Sequence, residues 1–337
     1  MRAAITSSVN AIPYTQSEAF CRYIIVSDAR SFVVRALGDA PAGAPGLANG
    51  YEAIGLYVDG VLQPAHVLTS LGRIYDKTYE LAAGSKTLEL VFGPAGVEAI
   101  GGTPVRSCPV LGYNLTKGAS HSVTAPSAPA KRIVVMGDSL SQGVMPTAPP
   151  NQAAVYQSWT ILMRANALAS GAGSFAGAHL INAGYSGAQW ADECSTAGKI
   201  TASLARLAQW LDGTGSNILV TALGTNDWGS GVSAANMQTN LGAWADAFNA
   251  AHPTVTVVVC TPVTRTGETT PNAGGATLPQ IRTAMANVVA ARPGFMTLVN
   301  GPPLVTYPTN FYSDLIHLNT AGMVQFEASL RAALGIY

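Results

Sequence analysis

Arg132-Ile133-Val134-Val135-Met136-Gly137-Asp138-Ser139-Leu140-Ser141 is the stretch that decides the fold. Four apolar residues, mostly β-branched, run directly into a small-residue turn that carries a serine. The run lacks polar alternation, so it reads as a strand buried on both faces, the pattern of a parallel sheet. Such a sheet presents functional side chains at the carboxyl ends of its strands. Ser139 would therefore stand at the sheet's working edge.

Downstream of this stretch the pattern alternates. Strand candidates are 133–136, 179–182, 218–222, 255–260 and 296–299. Helical windows lie at about 153–168, 198–211, 234–251, 278–291 and 320–334. Five buried strands separated by helices predict a doubly wound α/β unit with a parallel sheet. Asn319 or Thr320 can cap the last helix, whose Met323, Val324, Phe326 and Leu330 would supply a buried face. The glycines of residues 171–177 have the wrong spacing for a dinucleotide fingerprint and precede a strand, so this stretch reads as a loop.

Upstream, residues 1–118 read as all-β. Short β-rich runs at 21–26, 31–37, 53–58, 78–81 and 87–92 are separated by turn signals. Val58-Asp59-Gly60-Val61 reads as a hairpin. The pattern predicts a sandwich or jelly roll. Residues 120–130 are small and polar with two prolines, a linker composition. The expected division is 1–125 and 126–337. His66 and His121 read as histidines without a chemical role.

Composition excludes some function classes. Lysine plus arginine and aspartate plus glutamate each total 18, with 9 of each sign in residues 1–125 and 9 of each in 126–337. Neither half is a basic patch, so no nucleic-acid partner is expected. Only 11% of residues are charged and mean hydropathy is +0.25, yet no apolar run has the length of a membrane span. Met1-Arg2-Ala3-Ala4-Ile5 opens like a signal peptide, but Thr6-Ser7-Ser8 interrupts it. If a leader has been trimmed, the expected compartment is extracellular or periplasmic; otherwise it is cytoplasmic. Cys21, Cys108, Cys194 and Cys260 allow two disulfides, one of them Cys21–Cys108, but read better as buried thiols. Oligomeric state is left open.

The residues that follow the strands make a coherent set. After the first comes Gly137-Asp138-Ser139, after the second Gly184-Tyr185-Ser186-Gly187, and after the third Gly224-Thr225-Asn226-Asp227. Beyond the fifth comes Asp314-Leu315-Ile316-His317. A serine hydroxyl needs a base, commonly a neutral imidazole, and the imidazole needs a carboxylate to hold its tautomer. Asp314 and His317, three apart, fit on one turn. Backbone N–H groups of Ser139 and Gly187 with the Asn226 amide could hold an oxyanion. Gly184 competes with Gly187 for this role, although a tight turn explains it as well. Ser139 alone could be a helix N-cap, and Asn226 alone a turn residue. Asp138 and Asp227 read as structural acceptors for nearby N–H groups. Trp228, Thr261 and Tyr312 are candidate substrate contacts; Tyr307, Phe311 and Pro262 lie near the same loops. His252 reads as a helix end.

These blocks, in this order, resemble the SGNH (GDSL) hydrolases over about residues 131–337. The resemblance implies a flavodoxin-like five-stranded sheet of the SGNH-hydrolase type. It also implies Ser139 as nucleophile, Asp314 and His317 as triad partners, and Ser139, Gly187 and Asn226 as oxyanion hole. Family members cleave esters and thioesters without a metal or organic cofactor, so none is expected here. Ser141 stands where an α/β-hydrolase elbow would have glycine, which separates the chain from that larger family. A β-domain ahead of such a unit is similar to bacterial carbohydrate esterases. It implies O-acetyl ester cleavage on a polysaccharide such as acetylated xylan, or on a small-molecule ester. The alternatives are a broad esterase or lysophospholipase-type acylhydrolase, and a non-catalytic carbohydrate-binding protein. No long amphipathic lid separates the blocks, which favours short acyl groups. With a histidine base, activity is expected to rise as the imidazole sheds its proton.

Overall fold

The computed structural model describes residues 22–38, 52–59, 61–63, 66–68, 73–92, 110–115, 121–122, 131–143, 158–169, 178–184, 187–208, 210–211 and 216–335. Two compact units make up the chain, Met1–Ala128 with Ala148–Tyr156, and Pro129–Thr147 with Gln157–Tyr337.

Described residues of the first unit form strands β1 (Arg22–Ser27), β2 (Ser31–Gly38), β3 (Glu52–Val58), β4 (Val61–Leu62), β5 (His66–Leu68), β6 (Arg73–Glu80), β7 (Lys86–Phe92), β8 (Val110–Leu115) and β9 (His121–Ser122). One sheet has the order β4-β3-β7-β1-β9 with β5 on β3, the other β6-β2-β8, and all pairs are antiparallel. Phe32, Val34, Leu56 and Leu88 are fully buried. The Asp-Gly hairpin pairs Val58 with Val61, and Asp59 takes φ 49° while its carboxylate accepts the Thr87 N–H at 2.7 Å. β6 begins at Arg73, five residues before the strand predicted from β-propensity. Its polar start is held by continuous pairing with β2, from Ser31–Glu80 to Gly38–Arg73. His121 and Ser122, read as linker, pair instead with Ser27 and Val26.

The second unit runs β10 (Lys131–Gly137), α1 (Ser139–Gln142), α2 (Trp159–Ala169), β11 (His179–Asn182), α3 (Trp190–Cys194), α4 (Ala197–Leu207), β12 (Ser216–Ala222), α5 (Thr225–Gly229), α6 (Ala234–Ala251), β13 (Thr256–Cys260), α7 (Leu278–Ala290), β14 (Met296–Val299) and α8 (Thr320–Ala333). Its sheet has the order β11-β10-β12-β13-β14, parallel throughout. Successive connections leave β10 and β12 toward opposite sides. A crevice therefore opens between the carboxyl ends of these two neighbours, the switch point of a doubly wound sheet.

Alternation within the strands feeds two cores. Val134, Met136, Leu219, Val257 and Val259 join Trp190, Leu241, Trp244, Phe248, Ile281 and Met285 of α3, α6 and α7. α2 packs against α8, with Trp159 and Phe326 rings 5.1 Å apart. Caps fix the helices. Thr277 and Gln280 form a capping box on α7, and Asn319 accepts the Gly322 N–H at 2.9 Å to start α8. On α8, Met323, Phe326 and Leu330 are buried as expected, but Val324 is 47% exposed. Glu327 takes the inward place, bound by Asn166 and Arg331 at 2.9 and 2.8 Å. His252 ends α6 as its C-cap. Cys194 and Cys260 are buried free thiols; Cys21, Cys108 and the glycine stretch 171–177 lie outside the described residues. Among the described residues no helix is long and apolar enough to cross a membrane.

Candidate active site

β10 delivers its serine through a turn that tolerates no bulk. A Cβ on Gly137 would overlap the Ser141 hydroxyl, and one on Gly184 would lie 2.8 Å from Ser141 Cβ. Asp138 caps α1 by accepting the Leu140 N–H at 3.0 Å. Asn182, the last residue of β11, clamps the turn from the side. Its amide donates to Ser141 O at 2.8 Å, and its carbonyl oxygen accepts the Gly184 N–H at 3.0 Å. Ser139 thus sits at the first position of α1, where its own N–H has no intrahelical acceptor, and is 6% exposed.

The loop before α8 supplies the imidazole. Phe311 bridges Leu318, Tyr312 N–H donates to His317 O at 2.8 Å, and Leu315 turns the chain at φ 55°. One Asp314 oxygen accepts the Ile316 and His317 backbone N–H groups at 3.0 Å each. The other lies 2.7 Å from His317 Nδ1, and His317 Nε2 lies 3.0 Å from Ser139 Oγ. A carboxylate only accepts, so Nδ1 carries the proton in the neutral ring and Nε2 accepts from the serine hydroxyl. Partial burial alone would raise the Asp314 carboxyl. Hydrogen bonds from the His317 ring and the two backbone N–H groups outweigh it and hold the group below the usual carboxylate range.

Gly187 and Asn226 lie on the segments after β11 and β12. Gly187 adopts φ 80° with open space where a Cβ would be, so conformation and not crowding requires glycine there. Asn226, on α5, donates to Ala188 O at 3.1 Å and so ties itself to the Gly187 segment. Its neighbour Asp227 is fully buried and accepts the Trp190 and Ala191 N–H groups at 2.8 and 2.9 Å. Both aspartates read as structural do bind backbone N–H groups; for Asp227 the partners are far away in sequence. Burial is the main cause that lifts Asp138 to about 7 and Asp227 to about 6; each is opposed by its backbone hydrogen bonds.

The predicted substrate contacts have varied surroundings. Trp228 is partly buried, its indole N–H donates to Ala276 O at 3.1 Å, and the Arg265 guanidinium lies 5.0 Å from its ring. Tyr312 is half-buried on the loop that carries Asp314 and His317, and burial followed by the Asp314 charge raises its hydroxyl. Thr261 is 3% exposed and its hydroxyl accepts the Gly301 N–H at 2.9 Å, so its side chain braces the end of β13. Sequence reasoning missed Asn182. Its one signal is a polar residue ending an otherwise apolar strand. Among the described residues no cluster of His, Cys, Asp or Glu is arranged to hold a metal ion.

With this geometry in view, the family model described as GDSL-like lipase/acylhydrolase matches residues 135–324. Solved structures share the fold over nearly the whole chain at low identity. One is the salicylyl-acyltransferase SsfX3 from a tetracycline biosynthetic pathway: 18% identity, TM-score 0.66, covering 93% of this chain and 82% of that one. Another is a family two carbohydrate esterase from Clostridium thermocellum in complex with cellohexaose: 16%, 0.64, covering 95% and 93%. An acetyl xylan esterase, Est2A, from Butyrivibrio proteoclasticus aligns at 11% identity, TM-score 0.59, over 96% and 93%. No curated protein matches the sequence.

Proposed function

Since the chain belongs to the GDSL-like lipase/acylhydrolase family and is an ester-hydrolysing enzyme, we propose that it removes short acyl groups, above all O-acetyl, from carbohydrates through a Ser139–His317–Asp314 triad. The observation that carries the mechanism is the unbroken chain from Asp314 through His317 to Ser139, with links of 2.7 and 3.0 Å.

The steps follow from the atoms. His317 Nε2 takes the Ser139 proton as Oγ attacks the acyl carbon, and the imidazolium formed is stabilised by the Asp314 carboxylate. Charge moving onto the carbonyl oxygen is met by the N–H groups of Ser139 and Gly187 and by the Asn226 amide hydrogen not used on Ala188. Collapse of the tetrahedral intermediate expels the sugar oxygen, which takes the proton from His317, and leaves an acyl-serine. Water repeats the cycle, giving its proton to His317. The carboxylic acid departs as Ser139 is reprotonated.

The carbohydrate part draws support from fold likeness that spans both units, including a relative whose structure holds cellohexaose and another that is an acetyl xylan esterase. Acetate release from acetylated xylan, glucomannan and sugar acetates, measured beside p-nitrophenyl esters of increasing chain length, tests it. Acetate from at least one acetylated sugar is expected. No release from any, with activity that grows on longer acyl chains, would replace this reading by a general acylhydrolase.

A further inference from the structure

Arg265 lies on the segment between β13 and α7, at the carboxyl edge of the sheet. Nothing in the sequence pattern marked it. The segment is pinned at several points. Arg282 of α7 donates to Pro262 O and Val263 O at 2.8 and 2.7 Å and pairs with Glu268 at 2.6 Å. Glu268 also accepts the Arg265 backbone N–H at 3.3 Å. Thr266 N–H donates to Leu315 O at 3.1 Å, which joins the segment to the loop that carries Asp314 and His317.

The side chain is equally constrained. Its guanidinium lies 5.0 Å from the centre of the Trp228 ring, two residues beyond Asn226, and Trp228 is itself fixed to Ala276. Arg265 therefore stands between the two segments that carry Asn226 and His317. Its Nε is shielded from solvent and has no acceptor among the described residues. Arg206, Arg282, Arg292 and Arg331 each meet a carboxylate. The carboxylates whose charge reaches Arg265, Asp138 and Asp314, already accept backbone or ring hydrogens. A guanidinium nitrogen shielded from water without an acceptor is a cost, and the side chain as a whole is only partly buried, which leaves it open to an incoming acceptor. A cation held over an indole ring is restrained in advance, and the planar guanidinium fork matches a carboxylate.

We propose that Arg265 is a specificity-determining residue that binds a carboxylate on the substrate; if the ester is on a polysaccharide, this is the carboxylate of a uronic acid unit near the acetylated hydroxyl. The inference rests on the esterase reading of the site but not on its carbohydrate part.

The test compares kcat/KM for 4-acetoxybenzoate with that for 4-acetoxybenzamide, near-isosteric acetyl esters that differ in charge. Acetylated glucuronate and acetylated glucose form a second pair. The wild-type enzyme should favour the charged member of the aryl pair by roughly 10- to 100-fold, the value of a charge-assisted hydrogen bond. In Arg265→Gln the ratio should fall toward one through KM for the charged ester, and Arg265→Lys should restore part of it. Added salt should erode the wild-type ratio. A wild-type ratio near one, or a ratio unchanged in Arg265→Gln, overturns the proposal. If both acetylated sugars are inert while the aryl pair keeps its ratio, the carbohydrate reading falls and the carboxylate site stands.

Discussion

The Asn226 amide carries two hydrogens, and one is committed to Ala188 O at 3.1 Å. Asn226→Ala removes both the donor left for an oxyanion and the tie to the Gly187 segment. The expected loss is about 10²–10³-fold in kcat with a smaller change in KM, checked by steady-state kinetics on p-nitrophenyl acetate. Ser139→Ala should lower turnover by about 10⁴-fold or more while the thermal unfolding midpoint stays nearly unchanged. Asp138 makes a prediction of another kind. Its carboxyl ordinarily titrates at 3.8, and in the folded chain burial raises it to about 7. A carboxyl raised in this way favours the folded state while protonated, so its contribution is present at low pH and is lost as pH rises toward 7. Between pH 5 and 7 this amounts to about 2 kcal/mol. Urea unfolding at the two pH values should show that fall, and Asp138→Asn, which keeps an oxygen for the Leu140 N–H, should flatten it. Ionisation of Asp138 in this range would itself shape a pH–rate curve. The pH–rate curve of the variant is therefore the cleaner report on His317.

Among elements, legibility followed length and period. β10 was readable because four apolar residues in a row can only be buried, and α6 and α7 because their apolar positions recur over three or more turns. The short helices α1, α3 and α5 were not. Four or five residues carry no period, and each is held by tertiary contacts such as the Asp227 carboxylate on the first N–H groups of α3. The proposed triad residues stood out by type and spacing; Asn182 and Arg265 did not, because a single polar residue near a strand end has no distinctive neighbours in sequence. The turn from β11 into α3 offers a direct check. Gly187 has room for a methyl group but a φ that L-residues resist. Gly187→Ala should cost about 1 kcal/mol in stability and a larger share of kcat, since turning the backbone re-aims its N–H. An unchanged kcat would remove Gly187 from the oxyanion role.

At the level of the whole molecule, all proposed catalytic groups belong to the second unit, which has its own buried cores. A chain cut to residues 126–337, which keeps the second unit and also residues 148–156 of the first, should fold and keep p-nitrophenyl acetate hydrolysis within a few-fold of the intact protein, while cleavage of polymeric substrate falls more. Parallel assays on monomeric and polymeric acetates measure the difference; equal losses on both would make the first unit a structural support. That shortened chain retains two cysteines, Cys194 and Cys260. Both are buried, and burial pushes their thiols up to about 12. Neither presents a reactive thiolate to solvent while the fold is closed. A chromogenic disulfide reagent should thus stay colourless with the native molecule and develop only as molecules open, turning these silent sulfurs into a stopwatch for how often the domain comes apart.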